Sequence, residues 1–131
     1  MTENEIGKSI VDVAIQIHRD LGPGLLESVY EITMAHLLRQ RGLIVERQIP
    51  VAIEYQGYRF HEGFRADLIV GNKVIVELKC VEKLSNAHKK QLLTYLRLTG
   101  MRLGFLLNFS EHLMKHGITR TVNNLAENSG R

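Results

Sequence analysis

The sequence has no tryptophan, one cysteine, two prolines among 131 residues, and no apolar run near the ~20 residues that a bilayer span requires. Cys80 alone closes no internal disulfide, which excludes a stapled extracellular scaffold. The acidic start Thr2-Glu3-Asn4-Glu5 is unlike a secretory leader. Together these absences set the expectation of a cytoplasmic protein with no membrane partner. Zinc-ligand spacing is missing, as is any Ser-His-Asp or Cys-His arrangement of recognisable spacing, so neither a zinc site nor a covalent enzyme intermediate is expected.

What is there suffices for a core. With 44% hydrophobic and 24% charged residues, a chain of this length buries roughly two thirds of its unfolded surface. Disorder and collagen are excluded, and one domain over 1–131 is expected, ordered from about 5 to 122. The net charge of +3 hides an asymmetry. Residues 1–78 hold 8 basic and 11 acidic side chains, whereas residues 79–120 hold 8 basic and 2 acidic. The second half is either a face for a polyanion or a solvated basic surface.

Ile6, Ile10, Val13, Ile17 and Leu21 recur at helical spacing, predicting a helix from about Glu5 to Asp20 that ends at Gly22-Pro23-Gly24. A second helix follows, with Leu26, Val29, Tyr30, Thr33, Met34 and Leu37 as its expected apolar stripe and Arg41-Gly42 as its stop. The period then changes to two. Strands are predicted from Ile44 to Tyr55 and from Tyr58 to Val70, and Gly71-Asn72-Lys73 turns into Val74–Lys79, apolar on both faces and hence central. Ser85 or Asn86 caps a helix over about Ala87 to Leu98. Leu103–Leu107 makes a buried strand, and the strand-helix-strand order suits a parallel pair. A short helix over Ser110 to His116, a last strand over Ile118 to Val122 and a frayed tail after Asn123 complete the expectation.

Charges at the end of the central strand need a reason. Glu77 and Lys79, two apart, emerge on one face and make either a salt bridge or a site. A three-residue turn pairs Val70 with Val74 and sets Asp67 opposite Glu77, at ~4.5–5.5 Å between Cβ atoms; a two-residue turn sends Asp67 to the other face. Two carboxylates ~4 Å apart repel by about 4 kcal/mol at an effective dielectric of 20, so a cation must offset them. Lys79 supplies part of this. Two carboxylates plus water also suit Mg²⁺, leaving Lys79 to stabilise charge developing on a phosphoryl group.

Asp67 and Glu77-Leu78-Lys79 resemble the acidic core of the PD-(D/E)XK, or restriction-endonuclease-like, nucleases. Gly24-Leu25-Leu26-Glu27-Ser28-Val29-Tyr30 carries in full the signature of one branch, the GxxExxY proteins. Gln48-Ile49-Pro50-Val51, Arg65-Ala66-Asp67-Leu68, Gln91-Leu92-Leu93-Thr94-Tyr95 and Leu107-Asn108-Phe109 look like the same branch, so the likeness runs from about Glu5 to Val122. Ala66 departs from the Pro of the superfamily's name. The resemblance implies an α/β (α+β) fold with a mixed four-stranded sheet flanked by helices and an N-terminal helix pair. It also implies Mg²⁺ or Mn²⁺ held by Asp67, Glu77, the Leu78 carbonyl and Glu27, with Lys79, Asp67, Glu77 and Gln91 catalytic.

The supporting residues have second explanations. Glu27 in a first helical turn also complements the helix dipole. Tyr30 suits packing as well as function, and Cys80 suits burial. Gln91 and Tyr95 share a helical face with His88. Lys83, His88, Lys89, Lys90 and Tyr95 are the expected nucleic-acid contacts, while Arg47, Arg65 and Arg97 are further phosphate grips and His61 a possible one. The expected activity is hydrolysis of phosphodiester bonds in nucleic acid, DNA first, by metal-activated water. The alternative is a catalytically silent nucleic-acid-binding or partner-dependent accessory module. A homodimer would supply two sites, and a helicase or other protein partner fits a chain with no Gly-x-x-x-x-Gly-Lys-Ser phosphate loop.

Overall fold

The computed structural model describes residues 1–126. Thr2 starts the first helix, α1 (Glu3–Leu21), with a reciprocal cap: its Oγ1 accepts the Glu5 N–H, and its own N–H donates to Glu5 Oε1 at 2.8 Å. Ile6, Ile10, Val13, Ala14 and Ile17 form the fully buried stripe. The second helix, α2 (Glu27–Gln40), buries Tyr30, Glu31, Met34, Ala35 and Leu38. Leu26 and Val29 of the expected stripe are exposed. The helix is rolled because a charged residue, Glu31, takes a core-facing position where its partners wait, and hydrophobicity alone could not show that.

Strands β1 (Val45–Tyr55), β2 (Tyr58–Val70), β3 (Val74–Lys79), β4 (Leu103–Asn108) and β5 (Ile118–Val122) make one mixed sheet in chain order. Only β3 and β4 run parallel, joined by helix α3 (Asn86–Thr99), the crossover that a parallel pair requires. The expected four-stranded core is therefore present and extended at its edge by β5. Alternation sorts the side chains. Val74, Val76 and Leu78 face α1 and α2, with Leu103, Phe105 and Leu107 beside them, while Ile75 packs with Leu106 against Leu92 and Leu96 of α3. Gly104 lets α3 sit this close, since a Cβ there would stand 3.0–3.2 Å from the Leu92 side chain.

Two expectations after β4 change. The helix expected over Ser110 to His116 is a single 3₁₀ turn, Met114–His116. The Asn108 N–H donates to the Gly117 carbonyl at 2.8 Å, closing the loop too tightly for more than one turn. The tail expected to fray after Asn123 starts from a tied residue, whose Nδ2 donates to the Leu96 and Met101 carbonyls and whose N–H donates to the Arg102 carbonyl, and it stays attached at its next apolar residue. Leu125 packs against the core. The remainder of the expected frayed tail, 127–131, lies outside the described residues.

Candidate active site

The site stands where β2 and β3 part. Their pairing runs Val70↔Val74, Ile69↔Ile75 and Leu68↔Val76, the register of the three-residue turn, and stops one position before Asp67 and Glu77. There side chains take over from the ladder. The Asp67 N–H donates to Glu77 Oε2 at 2.7 Å, and the Leu78 N–H donates to Asp67 Oδ2 at 2.9 Å. On the other side of β2, pairing with β1 runs from Val45↔Val70 to Val51↔Phe64 and omits only Gln48 opposite Asp67. Asp67 thus sits in a gap in both ladders, its carboxylate turned to the strand beside it.

Glu27 reaches the same place from α2. Gly24 has φ +106°, a conformation open to glycine, and the Tyr30 hydroxyl ties down the turn, donating to Gly22 O at 2.6 Å and accepting the Leu25 N–H at 3.1 Å. Tyr30 is itself fixed by stacking on Phe109, centroids 4.4 Å apart. Gly24, Glu27 and Tyr30 are therefore one device: a free backbone, a carboxylate and a clamp. On the far side, Asn108 is fully buried and grips the chain leaving β3, its Oδ1 accepting the Val81 N–H and its Nδ2 donating to the Val81 carbonyl.

The electrostatics follow from this crowding. Glu77 is only 6% exposed, and burial, then the Asp67 charge, push its carboxyl up to about 8, against the smaller opposing pull of the Asp67 N–H and Lys79. Burial and then Asp67 also raise Glu27, while Lys79 and the Cys80 N–H oppose the rise. The Cys80 thiol is raised by burial and by Glu27. The Tyr95 hydroxyl is raised by burial and then by the charges of Glu77 and Asp67, and its ring stacks on Phe64 with centroids 3.7 Å apart.

Lys79 is half-buried and makes no ion pair among the described residues, although it acts on both Glu27 and Glu77. Gln91 is exposed on α3, one turn before Tyr95. His88 closes a capping box with Ser85, its Nδ1 accepting the Ser85 N–H at 3.2 Å. Lys83, Lys89, Lys90 and Arg97 are exposed. His61 is exposed on the hairpin that β1 and β2 extend beyond β3.

Arg47 and Arg65, expected as phosphate grips, already hold carboxylates of the chain. Arg65 pairs with Glu62 at 2.8 Å, and Arg47 holds Glu31 Oε2 from Nε at 3.1 Å and Nη2 at 3.0 Å. Glu31, 4% exposed, is the site's unforeseen member. Its position four residues after Glu27 on one helical face was the available signal. Gln48 was unforeseen as well: its Nε2 donates to Glu31 Oε1 at 2.7 Å and to Asp67 Oδ1 at 3.2 Å.

The acids gathered here offer hard oxygen donors: Asp67 and Glu77 bond across the end of the ladder, and the Glu27 carboxylate is near enough to act on Glu77. Such hard donors, crowded so that the Asp67 charge helps to raise Glu77, are of the kind that a small divalent cation such as Mg²⁺ or Mn²⁺ takes. Among the described residues no group of three His, Cys, Asp or Glu side chains is placed to hold a metal ion by itself. No described helix is long and apolar enough to cross a membrane.

A family model described as PD-(D/E)XK nuclease superfamily matches residues 4–121. Among solved structures, the crystal structure of an alkaline exonuclease from Laribacter hongkongensis shares 18% identity at a TM-score of 0.49, over 95% of this chain and 73% of that one. A second structure of that exonuclease, in complex with dAMP, shares 16% at 0.44, over 94% and 83%. No curated protein matches the chain.

Proposed function

The chain belongs to the PD-(D/E)XK nuclease superfamily, and from that premise we propose that it is a Mg²⁺- or Mn²⁺-dependent nuclease that hydrolyses phosphodiester bonds, with DNA the first substrate to test. The Gly24 to Tyr30 signature supports a place in the GxxExxY branch. The observation that carries the reading is the meeting of Asp67 and Glu77 in the gap between β2 and β3, with Glu27 and Lys79 close enough to act on the Glu77 carboxyl.

Asp67, Glu77, the Leu78 carbonyl and Glu27 would hold the cation, which when bound supplies charge neutralisation and an acidified water. The chain's own residues do the rest. Lys79 places an ammonium group beside the acids, where it stabilises negative charge gathering on the phosphoryl oxygens. Gln91, exposed one turn before Tyr95, orients substrate. Lys83, Lys89 and Lys90 take flanking phosphates, with His88 and Tyr95 on the same helix. The first turn of α3 contains no acid, and lysines at a helix N-terminus oppose its dipole, a cost that phosphate would reverse.

The test is cleavage of single-stranded, duplex and branched DNA and of RNA with Mg²⁺ or Mn²⁺, comparing wild type, Lys79→Ala and Asp67→Asn. Cleavage lost in both variants and in chelator is the expected result. Salt-sensitive binding without cleavage in all three proteins would replace the nuclease with a binding module.

A further inference from the structure

We propose that Gln48 is a positioning residue for Asp67, and that the backbone of β1 is distorted at this point to let it act. The proposal rests on the nuclease reading above and adds to it a residue outside the acid-x-lysine core. Gln48 has φ +51° in the interior of a strand. Glutamine has no local preference for the left-handed region, unlike glycine or asparagine, so the surrounding structure imposes the conformation.

The distortion has a visible product. Neighbouring residues of a regular strand point to opposite faces, yet Arg47 and Gln48 both bond one carboxylate, that of Glu31, at 3.0 and 2.7 Å. Only a break in the alternation permits this, and it falls at the one gap in the pairing between Val45↔Val70 and Val51↔Phe64. Arg65 fixes the kink from the next strand, its Nη1 donating to the Gln48 carbonyl at 3.0 Å. The Gln48 amide then has one hydrogen for Glu31 and one for Asp67 Oδ1.

Asp67 is consequently held at both oxygens, Oδ1 by the Gln48 amide and Oδ2 by the Leu78 N–H. A neutral donor suits this task. An arginine in its place would neutralise the carboxylate and weaken its hold on a cation, whereas an amide sets its orientation and leaves its charge. Glu31, buried and locked by Arg47, anchors the same amide nitrogen through its other hydrogen. The chain of contacts runs Arg47, Glu31, Gln48, Asp67.

The experiment compares wild type, Gln48→Asn and Gln48→Gly by Mn²⁺ titration with electron paramagnetic resonance and by thermal melting. Both replacements accept a positive φ, and neither reaches Asp67. The expected result is that both variants remain folded and bind Mn²⁺ about 10-fold or more weakly. Unchanged Mn²⁺ affinity in folded variants overturns the proposal while the nuclease reading stands. Loss of the fold in both makes Gln48 structural and overturns it equally. A wild-type protein that neither binds Mn²⁺ nor cuts nucleic acid removes the nuclease reading, and this proposal with it.

Discussion

Replacing Glu77 by Gln should stabilise the metal-free protein, although it removes a residue assigned to the site. The Glu77 carboxyl is raised from 4.5 to about 8, so the folded state binds its proton more tightly than the unfolded chain does. The sign follows: this group costs nothing below about pH 4.5, its cost grows as pH climbs, and the cost levels off above about pH 8. At ~1.4 kcal/mol per unit, the ionised form costs at most ~4–5 kcal/mol. Asp67 shares that charge conflict, so the substitution recovers about half, ~2 kcal/mol, or about 6 °C for a domain of this size. Glutamine keeps an oxygen for the Asp67 N–H and offers Asp67 a donor. Melting by circular dichroism at pH 5 and pH 8 with chelator checks this. Glu77→Gln should melt higher at pH 8, the gap should shrink toward pH 5, and Mg²⁺ should raise only the wild type. A variant that melts lower at pH 8, or a gap independent of pH, refutes the reasoning.

Arg47→Ala leaves the buried Glu31 charge unpaired and should cost ~2–4 kcal/mol in urea unfolding; adding Glu31→Gln should restore most of it. Tyr30→Phe removes the bonds to Gly22 O and Leu25 N, so it should lose about 1–2 kcal/mol and bind Mn²⁺ more weakly as the Glu27 turn loosens, read by melting and titration together. Lys79→Ala should abolish cleavage while shifting the melting temperature by less than about 3 °C, since Lys79 makes no ion pair among the described residues. Lys89→Glu with Lys90→Glu should weaken DNA binding at all sequences and flatten its salt dependence, measured by fluorescence anisotropy.

The elements were legible wherever periodicity and punctuation agreed. Tyr58–Val70 and Val74–Lys79 follow from alternation, the Gly71-Asn72-Lys73 turn and length, and with them the register that sets Asp67 against Glu77. Capping chemistry around Ser85 placed α3 to within a residue. What failed to show was polar burial. Glu31 reads as a solvated glutamate until Arg47, sixteen residues away, is folded against it, and that partnership rolled α2 away from the stripe its apolar residues suggest. Gln48 stood within a stretch that carried the family resemblance, but its role did not show, because nothing local in Arg-Gln-Ile-Pro demands a positive φ. Likewise Arg47 counts as a free cation in a charge sum and is paired with a buried glutamate in the fold.

The two amides that end the β2–β3 ladder give the site a voice of its own. Asp67 N–H and Leu78 N–H are held by the very carboxylates assigned to the cation, so their exchange with deuterium measures how firmly those side chains are held. Occupation that draws Glu77 or Asp67 toward an ion would redistribute protection between these two positions while the Val70–Val74 end of the hairpin keeps its own. Loading, loosening and titration of the acids can thus be followed from the backbone, residue by residue, without a substrate in the tube.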